Sequence, residues 1–407
     1  MDILYVIPLL GIALLGRYLK KYTAFICASL ILFYLLNLNL EDSWDLFSLV
    51  FSIIIFCSLV YSYYNIKERY LEFYLLLYLI FIGIVFLLSS SDLIETILYF
   101  EMISLPSYAL VGYKRNRKSL LACLRYCVVG IFGSILILLS LTFYLSGNTL
   151  MFLLFLLLGS FAKIPSFPLH FWLPDAHTYA PTEISSVLSS VVIGAAFLFL
   201  IKVLEITNLS SMAINFPLNI ILPIISLFIS SFSILLSFNP KRVLAYSSIF
   251  SMNTIVLAYF FGEKTAAMLY LLNHSIAKAL AFLCVGFLVE AGGRDYRRIE
   301  YSKYLYAIPA LHFALLSLIG FPPFFGFYVK LFLIKTLIMK LPFIVLILIL
   351  SLLYIYKFFD IIWISIFKTE KVRNKKASKK LLSLLPLLLI LVTFSIFPEL
   401  PLKFLKC

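Results

Sequence analysis

The stretch Gly159–Pro181, GSFAKIPSFPLHFWLPDAHTYAP, sets the reading of this chain. It places Lys163 near the middle of an apolar span, breaks that span with Pro165 and Pro168, and ends in a polar turn holding His170, Asp175 and His177. A charged side chain at mid-bilayer costs roughly 2.5–3.5 kcal/mol on insertion scales, so a lysine beside helix-breaking prolines is expected to line a polar pathway. The competing reading is a lysine that snorkels to a headgroup region, which its distance from the nearest loops disfavours.

The rest of the chain supports a membrane setting. Of 407 residues, 63% are hydrophobic and 13% charged, far from the balance of a soluble domain. The expected fold class is an all-α polytopic membrane protein, with no polar segment long enough to build a soluble core. The first apolar run, from Ile3 to Leu15, follows Asp2 rather than a basic region and lacks a small-residue cleavage site, so it reads as a first span and not a signal peptide. Six cysteines (Cys27, Cys57, Cys123, Cys127, Cys284, Cys407) form no CxxC pair. Cys123 and Cys127 share a helix face, where two thiols make a poor metal site and read as packing residues. The net charge of +14 sets orientation in such a protein and implies no nucleic-acid partner.

Apolar windows predict about fourteen spans, near 3–16, 22–38, 46–64, 73–90, 93–112, 120–146, 150–173, 184–205, 216–237, 242–261, 265–289, 305–338, 342–367 and 380–403. Basic residues gather on alternate loops: Arg17, Lys20 and Lys21; Lys67 and Arg69; Lys114, Arg115, Arg117 and Lys118; Lys241 and Arg242; Arg294, Arg297 and Arg298; then the cluster from Lys368 to Lys380. The opposite loops carry Glu41, Asp42, Asp45 and Asp92, which predicts that both termini face outward. The turn from Asp175 to Thr182 breaks the pattern: it should face inward yet has no Lys or Arg, as a funnel would. Residues 1–70 are expected to form N-terminal helices, 71–205 a first five-helix unit, 214–367 a second, and 368–407 a basic loop and last helix, all in one membrane domain. Five is odd, so the second unit enters from the opposite face, as in an inverted repeat. In each unit the fourth span is proline-broken and carries a lysine: Lys163 with Pro165 and Pro168, and Lys330 with Pro322 and Pro323.

Glu101 lies mid-span in YFEMISLP and requires a cation or a proton, for which Lys163 is the candidate. A movement separating the two would release a proton; the alternative is a static ion pair holding two helices together. His274 and Lys278, in NHSIAKALAF, are four apart and share one helix face, suited to handing a proton along, unless His274 is simply a packed, hydrogen-bonded residue. Lys330 completes the interior set. Lys202 with Glu205, and Lys357 with Asp360, read as interface-anchoring residues.

Taken together, the glutamate segment ending at Pro106 and Tyr108, KIPSFPLHFWLPDAHTYAPT (163–182), KRVLAYSSI (241–249), HSIAKALAF (274–282), GGRDYRRI (292–299) and GFPPFFGFYVK (320–330) resemble the antiporter-like membrane subunits of respiratory complex I. They are similar as well to subunits of multisubunit cation/proton antiporters and membrane-bound hydrogenases. The resemblance implies a subunit that moves protons when a redox module supplies energy, with Glu101, Lys163, His274, Lys278 and Lys330 as the proton pathway. His170, Asp175, His177, Ser189 and Ser190 are accessory candidates. Many relatives carry a bridging lysine about thirteen residues after the APT turn, where this chain has Gly194; water, Ser189, Ser190 or His274 would have to bridge there. The chain is short for the family and has no long lateral helix after the last span, so it is not expected to be the arm-bearing subunit.

No cysteine cluster, GxGxxG fingerprint or Walker loop is present, so this chain is expected to hold no cofactor, with iron–sulfur clusters, flavin and quinone in partner subunits. The expected partners are the membrane and peripheral subunits of a complex I-like assembly and the lipid bilayer, in the plasma membrane or an equivalent energy-transducing membrane. The alternatives are a subunit of a sodium/proton antiporter or energy-converting hydrogenase, a stand-alone solute transporter or membrane enzyme, for which the loops are short, and a scaffold, which would not explain the interior charges.

Overall fold

The computed structural model describes residues 22–290, 295–299, 301, 306–338, 341–367 and 379–405. The expected first span, the basic residues Arg17, Lys20, Lys21 and Arg294, most of the cluster from 368 to 380, and Cys407 lie outside the described residues. Among the described residues every regular element is helical.

The helices run α1 (Tyr22–Asn37), α2 (Ser43–Asn65), α3 (Tyr70–Ser89), α4 (Leu93–Val111), α5 (Arg117–Leu145), α6 (Thr149–Lys163), α7 (Trp172–Tyr179), α8 (Thr182–Ile206), α9 (Leu218–Leu236), α10 (Pro240–Phe260), α11 (Lys264–Glu290), α12 (Ile308–Ile319), α13 (Phe325–Thr336), α14 (Leu341–Phe367), α15 (Leu385–Ile396) and α16 (Leu400–Leu405). Among the described residues nine helices are long and apolar enough to cross a bilayer: α2, α3, α4, α5, α8, α9, α10, α11 and α14. The other apolar helices (α1, α6, α12 and the segment 380–396) are shorter.

The polar residues between apolar runs do local work. Asp42 and Asp45 form a reciprocal capping box at the start of α2, Asp92 caps α4, and Asn116, Asn148 and Asn239 cap α5, α6 and α10. Each satisfies amide groups that a helix start leaves unpaired, which is costly near lipid. The acidic loops therefore have a structural reason independent of orientation.

Burial separates centre from periphery. The most apolar stretch of α8 is wholly buried and those of α10 and α11 are 94% buried, whereas in α5 only 28% is. Helices apolar on all sides and buried all round belong in the middle of a bundle. The Lys163, Lys278 and Lys330 sites described below are built on or against α8, α10 and α11.

Two breaks interrupt the bundle where the prolines predict them. After α6, Phe167-Pro168 is cis, and the freed backbone is held from neighbouring helices: Asn253 donates to the Pro165 carbonyl (3.2 Å), Ser166 donates to Asn253 (2.7 Å), and the Phe167 amide donates to Ser226 (2.7 Å). After α12, Gly320 closes the helix at φ +80°, Pro322-Pro323 is cis, and the amides of Phe325 and Gly326 donate to Ser395 (2.9 Å) and Ser317 (3.2 Å). A Cβ on Gly326 would stand 1.7 Å from the Ser317 carbonyl oxygen, so only glycine fits there. Non-helical backbone at membrane depth is tolerated only with such partners.

Candidate functional site

Lys163 is the last residue of α6, at the end of a half-helix whose terminal carbonyls favour a cation. Its ammonium donates to Glu101 Oε1 (2.7 Å) and Ser104 Oγ (2.9 Å), approaches the Tyr108 hydroxyl (3.5 Å), and lies 4.8 Å from the centre of the Phe100 ring. The second carboxylate oxygen of Glu101 accepts from Ser134 of α5 (2.9 Å). The Lys163 side chain is 6% exposed and that of Glu101 21%, so the pair is buried at its cationic end and open at its anionic one. Behind it Tyr126 bonds Ser107 (2.8 Å) and stacks on Trp172, whose indole donates to Ala162 O (3.2 Å). The expected pair is thus brought together by α4 and α6. Ser104 and Tyr108 follow Glu101 at the spacing of one helix face, a signal present in the sequence but too common to single out.

Lys278, midway along α11, is fully buried. It donates to the Leu244 carbonyl (2.8 Å) and to the Ser247 hydroxyl, both on α10. His274, one turn earlier, is also fully buried, and neither ring nitrogen has a protein partner. Lys330 reaches back from α13 to the Ile319 carbonyl at the open end of α12 (2.6 Å) and to the Tyr354 hydroxyl on α14. Lys163 therefore ends one broken half-helix, and the Lys330 ammonium reaches the C-terminal end of another, where unpaired carbonyls concentrate negative potential.

Between Lys278 and Lys330 the structure supplies groups that sequence reading did not pick out. Ser251 stands one turn beyond Ser247 on α10 and donates to its carbonyl (2.9 Å); Tyr270 lies within electrostatic reach of Ser251 and Tyr354, and Tyr354 bonds Lys330. Between Lys163 and Lys278 stands α8. Its segment Leu188–Val192 is a π-bulge, a distortion that exposes backbone groups and recurs at functional sites. Val192 and Ala196 line the small cavity around Lys163, Ser189 bonds Ser248 of α10 (2.8 Å), and His274 lies against the Ser189 backbone. Ser190 turns back onto its own helix, donating to Ser186 O (2.6 Å).

At Gly194 there is no room for a longer side chain: a Cβ would lie 2.9 Å from Phe51 Cζ, and Phe51 is itself fully buried. Gly194→Lys is therefore expected to misassemble, since overpacking costs about 1–3 kcal/mol before the charge is counted. Yield and melting temperature of the purified protein check this; wild-type values would mean that Phe51 gives way.

The remaining candidates are scattered in role. Asp175 is clamped by Arg125 of α5 and Arg242 of α10. His170 is partly exposed in the 3-10 turn Leu169–Phe171, while His177 is fully buried, stacked 4.6 Å from Phe282, with both ring nitrogens lacking a protein partner. Cys123 and Cys127 stand 3.9 Å apart, and among the described residues no cluster of metal-ligating side chains occurs. Lys202 and Lys357 do not behave as interface anchors. Both are buried, Lys202 donating to the Leu88 carbonyl at the end of α3 beneath Trp44, and Lys357 to the Leu235 carbonyl at the end of α9 (3.1 Å) beside Phe238. A free helix end within reach outweighed the cost of keeping these charges from water.

Comparison with known proteins follows the same lines. A family model described as NADH:quinone oxidoreductase/Mrp antiporter, TM, matches residues 90–355. NADH-quinone oxidoreductase subunit N of Coxiella burnetii is 29% identical over 333 residues, covering 72% of this chain and 69% of its own length. The subunit N of Ruthia magnifica is 30% identical over 318 residues, covering 69% and 65%. The chain thus spans about two thirds of the length of these relatives. Among solved structures, a chain of an archaeal membrane-bound sulfane sulfur reductase superposes with a TM-score of 0.85 at 21% identity, covering 99% of this chain and 95% of that one. A chain of respiratory complex I from Thermus thermophilus superposes with a TM-score of 0.81 at 22% identity, covering 99% of each. At these identities the structural matches establish a shared fold.

Proposed function

We infer the function from site and ancestry together, on the premise that the chain belongs to the NADH:quinone oxidoreductase/Mrp antiporter transmembrane family. It is an antiporter-like, proton-translocating membrane subunit, and the assembly it serves is a complex I-type quinone oxidoreductase. The observation that carries this reading is the Lys163–Glu101 pair in series with two further lysines on separate helices, the fully buried Lys278 and the half-buried Lys330. Charges held inside an apolar bundle at such cost favour transport over scaffolding.

The proposed cycle uses the asymmetry of the pair. Glu101 can hold to Lys163 or lean toward Ser134, and when it leaves, the ammonium remains against Phe100, Ser104 and Tyr108 without a counter-charge. It relieves this by passing its proton on, across the α8 bulge to His274 and Lys278, then by Ser247, Ser251, Tyr270 and Tyr354 to Lys330. Moving one charge against 100 mV costs about 2.3 kcal/mol, within the range that rearranging a buried ion pair supplies. The energy comes from a partner redox module carrying flavin, iron–sulfur clusters and quinone. In the fuller topology about fourteen spans cross the bilayer, two inverted five-helix units hold the two breaks, both termini face outward, and the membrane is the plasma membrane or its energy-transducing equivalent. The likeness to the sulfane sulfur reductase chain favours a second reading, the same proton device driven by a different electron acceptor.

Purification of the tagged protein from its native membrane in mild detergent, with mass spectrometry of co-migrating chains, tests the assignment. Quinone-site and iron–sulfur subunits are expected. Recovery alone, or with small antiporter subunits only, would replace the respiratory reading with sodium/proton exchange or solute transport.

A further inference from the structure

A cavity of about 680 Å³ opens between α2, α8, α10 and α11, lined by Lys67, Arg69, Lys114 and Lys241, with Glu183 and Gly286 in its wall. The basic residues mark it as the face that the loop charges assign to the inside. Glu183 is the anomaly. An acidic residue in the first turn of a helix ordinarily sits in solvent, favoured by the dipole, but this one is 1% exposed and its Oε1 has no protein partner. Asn65, Lys241, Lys114 and the buried Tyr74 hydroxyl face it.

The polar trail continues inward from Glu183. Lys241 donates to the Ala180 carbonyl (3.2 Å) and the Ser185 hydroxyl (3.4 Å), and Ser185 donates to the His177 carbonyl (2.9 Å). Lys114 also donates to Ala180 O (3.2 Å). The buried His177 imidazole lies within electrostatic reach of Lys241, His274 and Lys278. Glu183, His177 and His274 thus present buried polar atoms that no protein group satisfies, and the partner such atoms require is water.

We propose that Glu183 is the intake group of this chain, taking protons from the basic-lined cavity and delivering them through His177 to Lys278. This deepens, and rests on, the proton-translocating reading above. The Glu183 carboxylate takes a proton from cavity water. The resulting acid gives it, through water, to an imidazole nitrogen of His177, and the imidazolium gives it to the Lys278 amine. Only O–H and N–H bonds form and break, and no oxidant or further reactant is involved.

The test uses the intact complex in membrane vesicles. Glu183→Gln, nearly isosteric, is expected to lower redox-driven proton uptake roughly tenfold or more with assembly and electron transfer retained, and Glu183→Asp to recover part of it. Glu183→Cys is expected to react with a membrane-impermeant anionic thiol reagent only from the face bearing Lys114 and Lys241, with the modified peptide identified by mass spectrometry. Wild-type uptake by Glu183→Gln, or no modification from that face, overturns the assignment. Lys278→Leu in the same vesicles separates the levels. If it too pumps normally, the translocation reading fails as a whole; if it does not, only the intake role of Glu183 is lost.

Discussion

Lys163→Met is expected to abolish proton translocation while leaving an assembled complex that still transfers electrons. The lysine is the only cation paired with Glu101 among the described residues, at 2.7 Å, and methionine keeps its volume but neither its charge nor its proton. Breaking a fully buried ion pair costs about 3–5 kcal/mol because it strands the other charge. Here Glu101 is partly exposed and keeps its bond from Ser134 at 2.9 Å, so the structural cost falls well below that range. The functional loss does not fall with it, since no neighbouring group can take the place of the lysine proton. Each tenfold loss in rate corresponds to about 1.4 kcal/mol, and a loss beyond the detection of fluorescence quenching in inverted vesicles is expected. Normal quenching in an assembled variant would show that the pair is a static tie between α4 and α6.

Lys278→Leu is expected to stop translocation and to leave the melting temperature at or above that of the wild type. Lys278 is fully buried, and among the described residues no carboxylate pairs with it; its partners are the neutral Leu244 carbonyl and Ser247 hydroxyl. The desolvation of such a charge costs several kcal/mol with little Coulombic return. Its removal orphans nothing, because Leu244 O still accepts from Ser247 and Ser248, each at 2.9 Å. A stable, silent variant would identify a charge kept for function at the expense of stability. A destabilised one would assign Lys278 to the architecture of the α10–α11 contact.

Much of this site is legible in the chain. Glu101, Lys163, His274, Lys278 and Lys330 stand out because hydropathy makes a lone charge in an apolar run conspicuous. The breaks after α6 and α12 are equally visible, since proline cannot continue a helix. The groups between those charges are not. Ser104, Ser134, Ser247, Tyr270 and Tyr354 are ordinary residues in apolar helices, and the sequence contains many like them. Lys202 and Lys357 mislead in the opposite sense: Lys202 near the end of α8 and Lys357 one turn before Asp360 read as interface anchors, yet each turns inward to a carbonyl of a distant helix.

The amino-acid sequence by itself determines that this is a helical membrane protein, where its helices break, and which charges it keeps from lipid. These follow from local quantities: the transfer free energy of each run, the geometry of proline and the capping of each helix start. Only the tertiary structure decides which of those charges meet and what stands between them. A helix can present any of its faces, and the rotation that points Glu101 at Lys163, fills the space beside Gly194 with Phe51 and leaves Glu183 buried in the wall of a basic cavity is set by the packing of helices far apart in the chain.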